Sequence, residues 1–117
     1  MRLRHRSEFL AAARGPRAPR DAFVLQAIAR PEAERAATIG LGFTVTKKIG
    51  NAVVRNRARR RLREAARAIL PGPARPGHDY VVVARAGALT RPFALLRGDL
   101  AAAFAQIGRR LARPPRP

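Results

Sequence analysis

From Val54 to Ile69 apolar positions return every three or four residues. Val54, Ala58, Leu62, Ala65 and Ile69 fall within a quarter turn or less of one another at about 100° per residue, which predicts an amphipathic helix with one buried stripe. The opposite side carries Asn56, Arg60, Arg63 and Arg67 in one row. Arg57 and Arg61 flank that row on one side, Arg55 and Arg59 on the other. Asn51 stands where a side-chain oxygen caps a helix start, and the proline-rich PGPARPG of residues 71–77 ends the helix. A second helical stripe, Phe93, Leu96, Leu100, Phe104, Ile107 and Leu111, follows Thr90 as its expected cap.

The remaining pattern is mostly strand-like. AFVLQAIAR, residues 22–30, has the β-branched and aromatic content of a mostly buried strand, closed by Pro31. In residues 38–46, Ile39, Leu41, Phe43 and Val45 alternate with Gly40, Gly42, Thr44 and Thr46, so one set faces a core. The low glycine side either lets a ligand approach the backbone, receives a packed helix, or marks a bulge. DYVVVAR, residues 79–85, reads as a third strand buried on both faces. Near the start, Ser7 is placed to cap a short helix over residues 8–14 that Gly15 ends, and GPRAPRD of residues 15–21 reads as a turn-rich connection. The predicted order is αββαβα, an α/β chain without internal repeats. Residues 1–112 are expected to form one domain and the basic, proline-rich residues 113–117 a disordered tail.

Composition narrows the partners. The chain has 117 residues, 47% of them apolar and 5% aromatic, enough for one small core. It has no cysteine, which excludes disulfides, cysteine-ligated zinc and thiol nucleophiles. No apolar run approaches a membrane span, and MRLRHRSEF lacks the apolar stretch of a secretory signal, so a soluble, cytoplasmic protein is expected, with no membrane partner. The net charge is +18. Nine of the 21 residues from Lys47 to Arg67 are basic and one, Glu64, is acidic. Like charges three or four positions apart destabilise a helix by a few tenths of a kcal/mol per pair. A nucleic-acid backbone reverses that sign, because each phosphate contact releases condensed counterions. A DNA-binding regulator is disfavoured, since the charges encircle most of the helix instead of presenting a few base readers. A ribosomal-type RNA-binding protein shares the charge and the basic tail.

The segment GFTVTKKIGNAVVRNRARRRLREAAR, with its Arg55-Asn56-Arg57 run, resembles the signature of the bacterial ribonuclease P protein family. SEFLAAARG is similar to that family's first helix, FVL to its first strand, and HDYVVVARAGA to its third strand and following turn, so the resemblance spans about Arg2 to Phe104. It implies a two-layer α+β sandwich with a small mixed sheet and a left-handed βαβ crossover, against the usual hand. It also implies a role: with a catalytic RNA, removal of the 5′ leader from precursor tRNA. By the same resemblance Lys47, Lys48, Asn51, Arg55, Asn56, Arg57, Arg60, Arg61, Arg63 and Arg67 meet RNA. Phe9, Ala13, Gln26, Thr44 and Thr46 fall on a leader cleft, where Phe9 also reads as a core residue. Ala13 and Gln26 stand where relatives often have aromatics, which shifts leader binding from base stacking towards charge and hydrogen bonding.

An autonomous nuclease is not expected. Metal-dependent cleavage needs converging carboxylates, and the seven acids are scattered. His5, in a basic terminus, and His78, in a turn entering a strand, make a weak acid-base pair. The chemistry is expected to belong to Mg2+ held mainly by the catalytic RNA, with the protein assisting.

Overall fold

Tyr80, Val81 and Val82 are consecutive and all buried, so the strand that carries them is covered on both faces. The computed structural model describes residues 16–29, 39–70, 72, 74 and 77–111. Along them run β1 (Arg17–Pro19), β2 (Phe23–Ala29), β3 (Gly40–Thr44), a 3₁₀ turn (Lys47–Ile49), α1 (Ala52–Ile69), β4 (His78–Ala84), a second 3₁₀ turn (Ala86–Leu89) and α2 (Phe93–Leu111). The strands form one mixed sheet in the order β1-β2-β4-β3. β4 is thus an inner strand, antiparallel to β2 and parallel to β3. A parallel neighbour requires a crossover connection, and α1 supplies it between β3 and β4.

Register separates two faces. Phe23, Leu25 and Ala27 of β2 stand opposite Ala84, Val82 and Tyr80 of β4, and Leu41 and Phe43 of β3 continue the same rows. These side chains meet Ala58, Leu62, Ala65 and Ala66 of α1 and Leu96, Leu100, Ala103, Phe104 and Ile107 of α2 in a single core. The Tyr80 ring lies 4.8 Å from that of Phe104, tilted by 57°. Both helices therefore lie on one face of an α+β sheet, α1 over β3 and β4, α2 over β1 and β2.

Three expectations change. The connection expected over residues 15–21 contains β1: Ala18 pairs with Leu25, and the Arg20 N–H donates to the Phe23 carbonyl at 2.7 Å to close the hairpin. Pro19 fits because β1 is an edge strand, where a missing N–H is tolerated. Thr90 does not cap the last helix. Its N–H donates to Gly87 at the end of the 3₁₀ turn, and α2 starts later, with the Leu96 N–H donating to Pro92 at 2.9 Å. Phe93, expected in the buried stripe, is 40% exposed as the first residue of α2, with the Arg97 guanidinium carbon 5.7 Å from its ring centroid. The predicted helix near residues 8–14 and the tail at 113–117 lie outside the described residues.

α1 ends where sequence demands. Leu70 precedes Pro71, whose ring disfavours helical geometry in the residue before it, and Leu70 is extended at φ −85° and ψ 151°. Within α2, Gly98 has open space around the position of a Cβ. Gly98→Ala is expected to raise stability by about 0.5 to 1 kcal/mol through backbone entropy alone. Urea denaturation of the two proteins checks this.

Candidate nucleic-acid interface

The basic helix is introduced by a tightly specified turn. Lys47–Ile49 form the 3₁₀ turn, Gly50 follows at φ 151°, and Asn51 caps α1 by accepting the Val54 N–H at 3.0 Å. At Gly50 a Cβ would lie 2.8 Å from Val54 Cγ1, in a backbone region that side chains avoid. Lys47 and Lys48 are exposed just ahead of the helix, where unpaired N–H groups and the helix dipole already favour anions. No acid stands in the first turn to compete.

Along α1 the arginines divide by what they touch. Asn56, Arg57, Arg60 and Arg67 are exposed. Asn56 Oδ1 accepts from Arg59 at 2.9 Å, which leaves the Asn56 amide N–H groups as donors towards an acceptor outside. Asn51 is similar, its oxygen spent on the cap. Arg63 is half-buried with its guanidinium carbon 6.0 Å from the Phe43 ring centroid, a cation–π contact that holds it against β3. Arg55 is also half-buried. Arg61 differs from its neighbours: its guanidinium donates to the carbonyl of Leu89 at 2.9 Å and to that of Arg91. Arg91 in turn makes a forked pair with Asp99, 2.6 Å at its shortest, and that hydrogen bond raises the Arg91 pKa above its ordinary value. Arg61 thereby ties α1 to the start of α2. Sequence spacing alone did not single out Val53, which is 76% exposed in the first turn beside Asn56 and Arg57. An apolar residue among charges is the signal that marks it.

The residues expected on a leader cleft divide too. Gln26 aligns with Val81 and Gly42, while Thr44 aligns with Val83 and Val24, so Gln26 and Thr44 share the face opposite the helices, one row apart with β4 between them. That face is covered at its centre: Val81 is 1% and Gln26 8% exposed, and Gly40 and Gly42 are buried. Thr44 is half-buried, and Thr46, exposed, makes no side-chain cap to the turn it precedes, leaving its hydroxyl available. Phe9, Ala13 and His5 lie outside the described residues. His78 opens β4 with its ring 6.4 Å from that of Tyr80.

Among the described residues carboxylates do not gather. Asp21 follows β1, Glu64 is on α1, Asp79 on β4 and Asp99 on α2, bound to Arg91. Among the described residues no three His, Asp or Glu side chains form a metal-sized group, so this donor set does not fit Mg2+. No helix among them is long and apolar enough to cross a membrane.

The chain can be compared with known proteins on this basis. The Ribonuclease P family model matches residues 1–108. A ribonuclease P protein component from Caulobacter vibrioides is 50% identical over 112 residues, covering 96% of this chain and 74% of the relative. One from Ruegeria pomeroyi is 50% identical over 106 residues, covering 90% and 84%. The solved RNase P protein from Thermotoga maritima superposes with a TM-score of 0.74 at 27% identity, over 91% of this chain and 96% of that one. A sheet with both helices on one face, a parallel β3–β4 pair joined by an arginine helix and a match over nearly the whole chain lead to one conclusion: the chain belongs to the ribonuclease P protein family, the protein subunit whose role is RNA binding in tRNA 5′ processing.

Proposed function

We propose that α1 and the preceding turn hold the catalytic RNA of a ribonuclease P complex, and that the accessible rim of the opposite sheet face, at Thr44 and Thr46, holds the 5′ leader of precursor tRNA. The observation that carries the first part is the continuity of Lys47, Lys48, Asn56, Arg57, Arg60 and Arg67, all exposed along one helix and its entry turn, with Glu64 the one acid on α1. Guanidiniums grip phosphates bidentately, and Asn56 donates to a sugar or base edge. Arg55 and Arg63 add charge from half-buried positions, while Arg61 serves the fold first. Thr46, and Thr44 behind it, offer hydroxyls to leader phosphates or 2′-hydroxyls; Phe9 and Ala13 complete this set as expectations from family resemblance.

The protein's part is binding and positioning. Its dense cationic surface lets folded RNA and metal ions approach one another with less repulsion. Mg2+ then belongs to the RNA, whose phosphates supply the oxygen ligands that the described carboxylates do not. Reconstitution with a catalytic RNA and a precursor tRNA tests this reading. The expected result is a single 5′ cut that needs less magnesium with the protein present, and no cut by protein alone. An unchanged magnesium requirement would refute it.

A further inference from the structure

A second concentration of arginine lies away from α1, around the edge strand. Arg17 and Arg20 belong to the β1 hairpin, Arg85 follows β4, and Arg109 and Arg110 close the last turn of α2. Contacts bring them together. Arg110 donates to the Arg17 carbonyl at 3.3 Å, Arg85 to the Arg20 carbonyl at 3.0 Å, and Arg20 to the Pro19 carbonyl and to Gln106 Oε1, both at 2.8 Å. Gln106, Arg109 and Arg110 share one side of α2, at spacings of three and four.

These partners are carbonyl and amide oxygens, which orient a guanidinium without neutralising it. Among the described residues no carboxylate forms an ion pair with any of the five, and Asp21 is the one acid in the hairpin. Position at a helix C-terminus accounts for Arg109 and Arg110 through the helix dipole, but not for Arg17, Arg20 or Arg85. Arg17, Arg85, Arg109 and Arg110 are exposed and Arg20 is half-buried. Among the described residues the five arginines of this patch have no aromatic ring stacked on them, which suits the patch to phosphates more than to bases.

Resting on the reading of α1 as the catalytic-RNA contact, we infer that the β1–α2 edge is a second phosphate-binding surface, taking another segment of the same catalytic RNA. β1 and β3 are the two edges of the sheet, about 14 Å apart at ordinary strand spacing, and α1 lies over the β3 side. That exceeds the screening length of about 8 Å at physiological salt, so the two surfaces act as independent charges. Once α1 is docked, a neighbouring RNA segment reaches the edge at high effective concentration. Fixed guanidiniums also lose less freedom on binding.

The test combines Arg17→Gln, Arg109→Gln and Arg110→Gln, sparing the two arginines most bound to the hairpin. Binding of the catalytic RNA is titrated across potassium chloride concentrations, beside an Arg57→Ala/Arg60→Ala protein and wild type, with thermal melting as the check on folding. The edge protein is expected to melt like wild type, lose about 10- to 100-fold in affinity near physiological salt, and show a log–log salt slope shallower by about two to three. Combining both sets should add the slope changes. If the edge protein keeps the wild-type slope while the α1 protein loses slope, the edge is a solvated or protein-facing patch and the inference fails alone. If the edge slope changes only with long-leader precursor tRNA, the assignment to catalytic RNA is overturned. If neither protein loses slope, the reading of α1 falls as well.

Discussion

Replacing Arg57 and Arg60 together with alanine is expected to weaken catalytic-RNA binding by about 10- to 100-fold at physiological salt and to make the salt slope shallower by about two. Both side chains are exposed, and neither makes a hydrogen bond among the described residues, so their removal leaves no buried group unsatisfied. Folding should not suffer. Alanine is the better helix former, and the change relieves the like-charge spacings of Arg57 with Arg61 and of Arg60 with Arg63, each worth a few tenths of a kcal/mol, against the loss of one favourable spacing of Arg60 with Glu64. The variant should therefore be as stable as wild type or slightly more so, which separates loss of a phosphate contact from loss of structure. Filter binding across a salt series, with urea denaturation in parallel, checks both halves. A protein that binds as tightly as wild type would return the arginine row to the status of a solvated face.

A companion comparison separates the two proposed surfaces. Thr46→Val should mainly reduce the preference for precursor over mature tRNA, because Thr46 lies at the rim of the sheet face and its hydroxyl is unclaimed by the turn. On the proposed reading the arginine pair acts through the catalytic RNA, so its loss should affect precursor and mature tRNA alike.

The stripe of α1 was legible because burial on a helix repeats every 3.6 residues; Ala58, Leu62 and Ala65 are buried as the spacing requires, with Val54 and Ile69 half-buried at the ends. The Asn51 cap was legible for the same local reason, since cap and helix are neighbours in the chain. β1 was not, because a three-residue strand containing proline carries no periodic signal and exists by virtue of its pairing with β2. Thr90 was misplaced because it closes the 3₁₀ turn of Ala86–Leu89, which the sequence did not announce, and α2 begins only at Phe93. On the site, spacing identified the charged side of α1 but could not sort it. Arg57 and Arg61 lie one helical turn apart on the same flank, yet one is exposed and the other is bound to two carbonyls nearly thirty positions away. Gln26 shows the same limit: alternation places it on the outer face, while its burial depends on what covers that face.

Arg61 turns that difference into the sharpest contrast available on the helix. Removing its guanidinium would strand the carbonyls of Leu89 and Arg91 and free α1 from the turn that leads into α2. Hydrogen bonds from a charged donor contribute about 1.5 to 3 kcal/mol each, and half-exposure lowers that, so Arg61→Ala is expected to cost about 2 kcal/mol in all. Arg61→Lys keeps the charge but replaces a planar fork with a single ammonium that cannot satisfy both carbonyls in the same geometry. It should recover less than half of the lost stability while binding catalytic RNA nearly as well as wild type once folded. A phosphate-contacting role requires the reverse pattern, with stability untouched, affinity lost in the alanine variant and largely restored by lysine. Denaturation midpoints and RNA affinities measured on the same two proteins therefore decide whether this arginine belongs to the interface or to the scaffold that presents it.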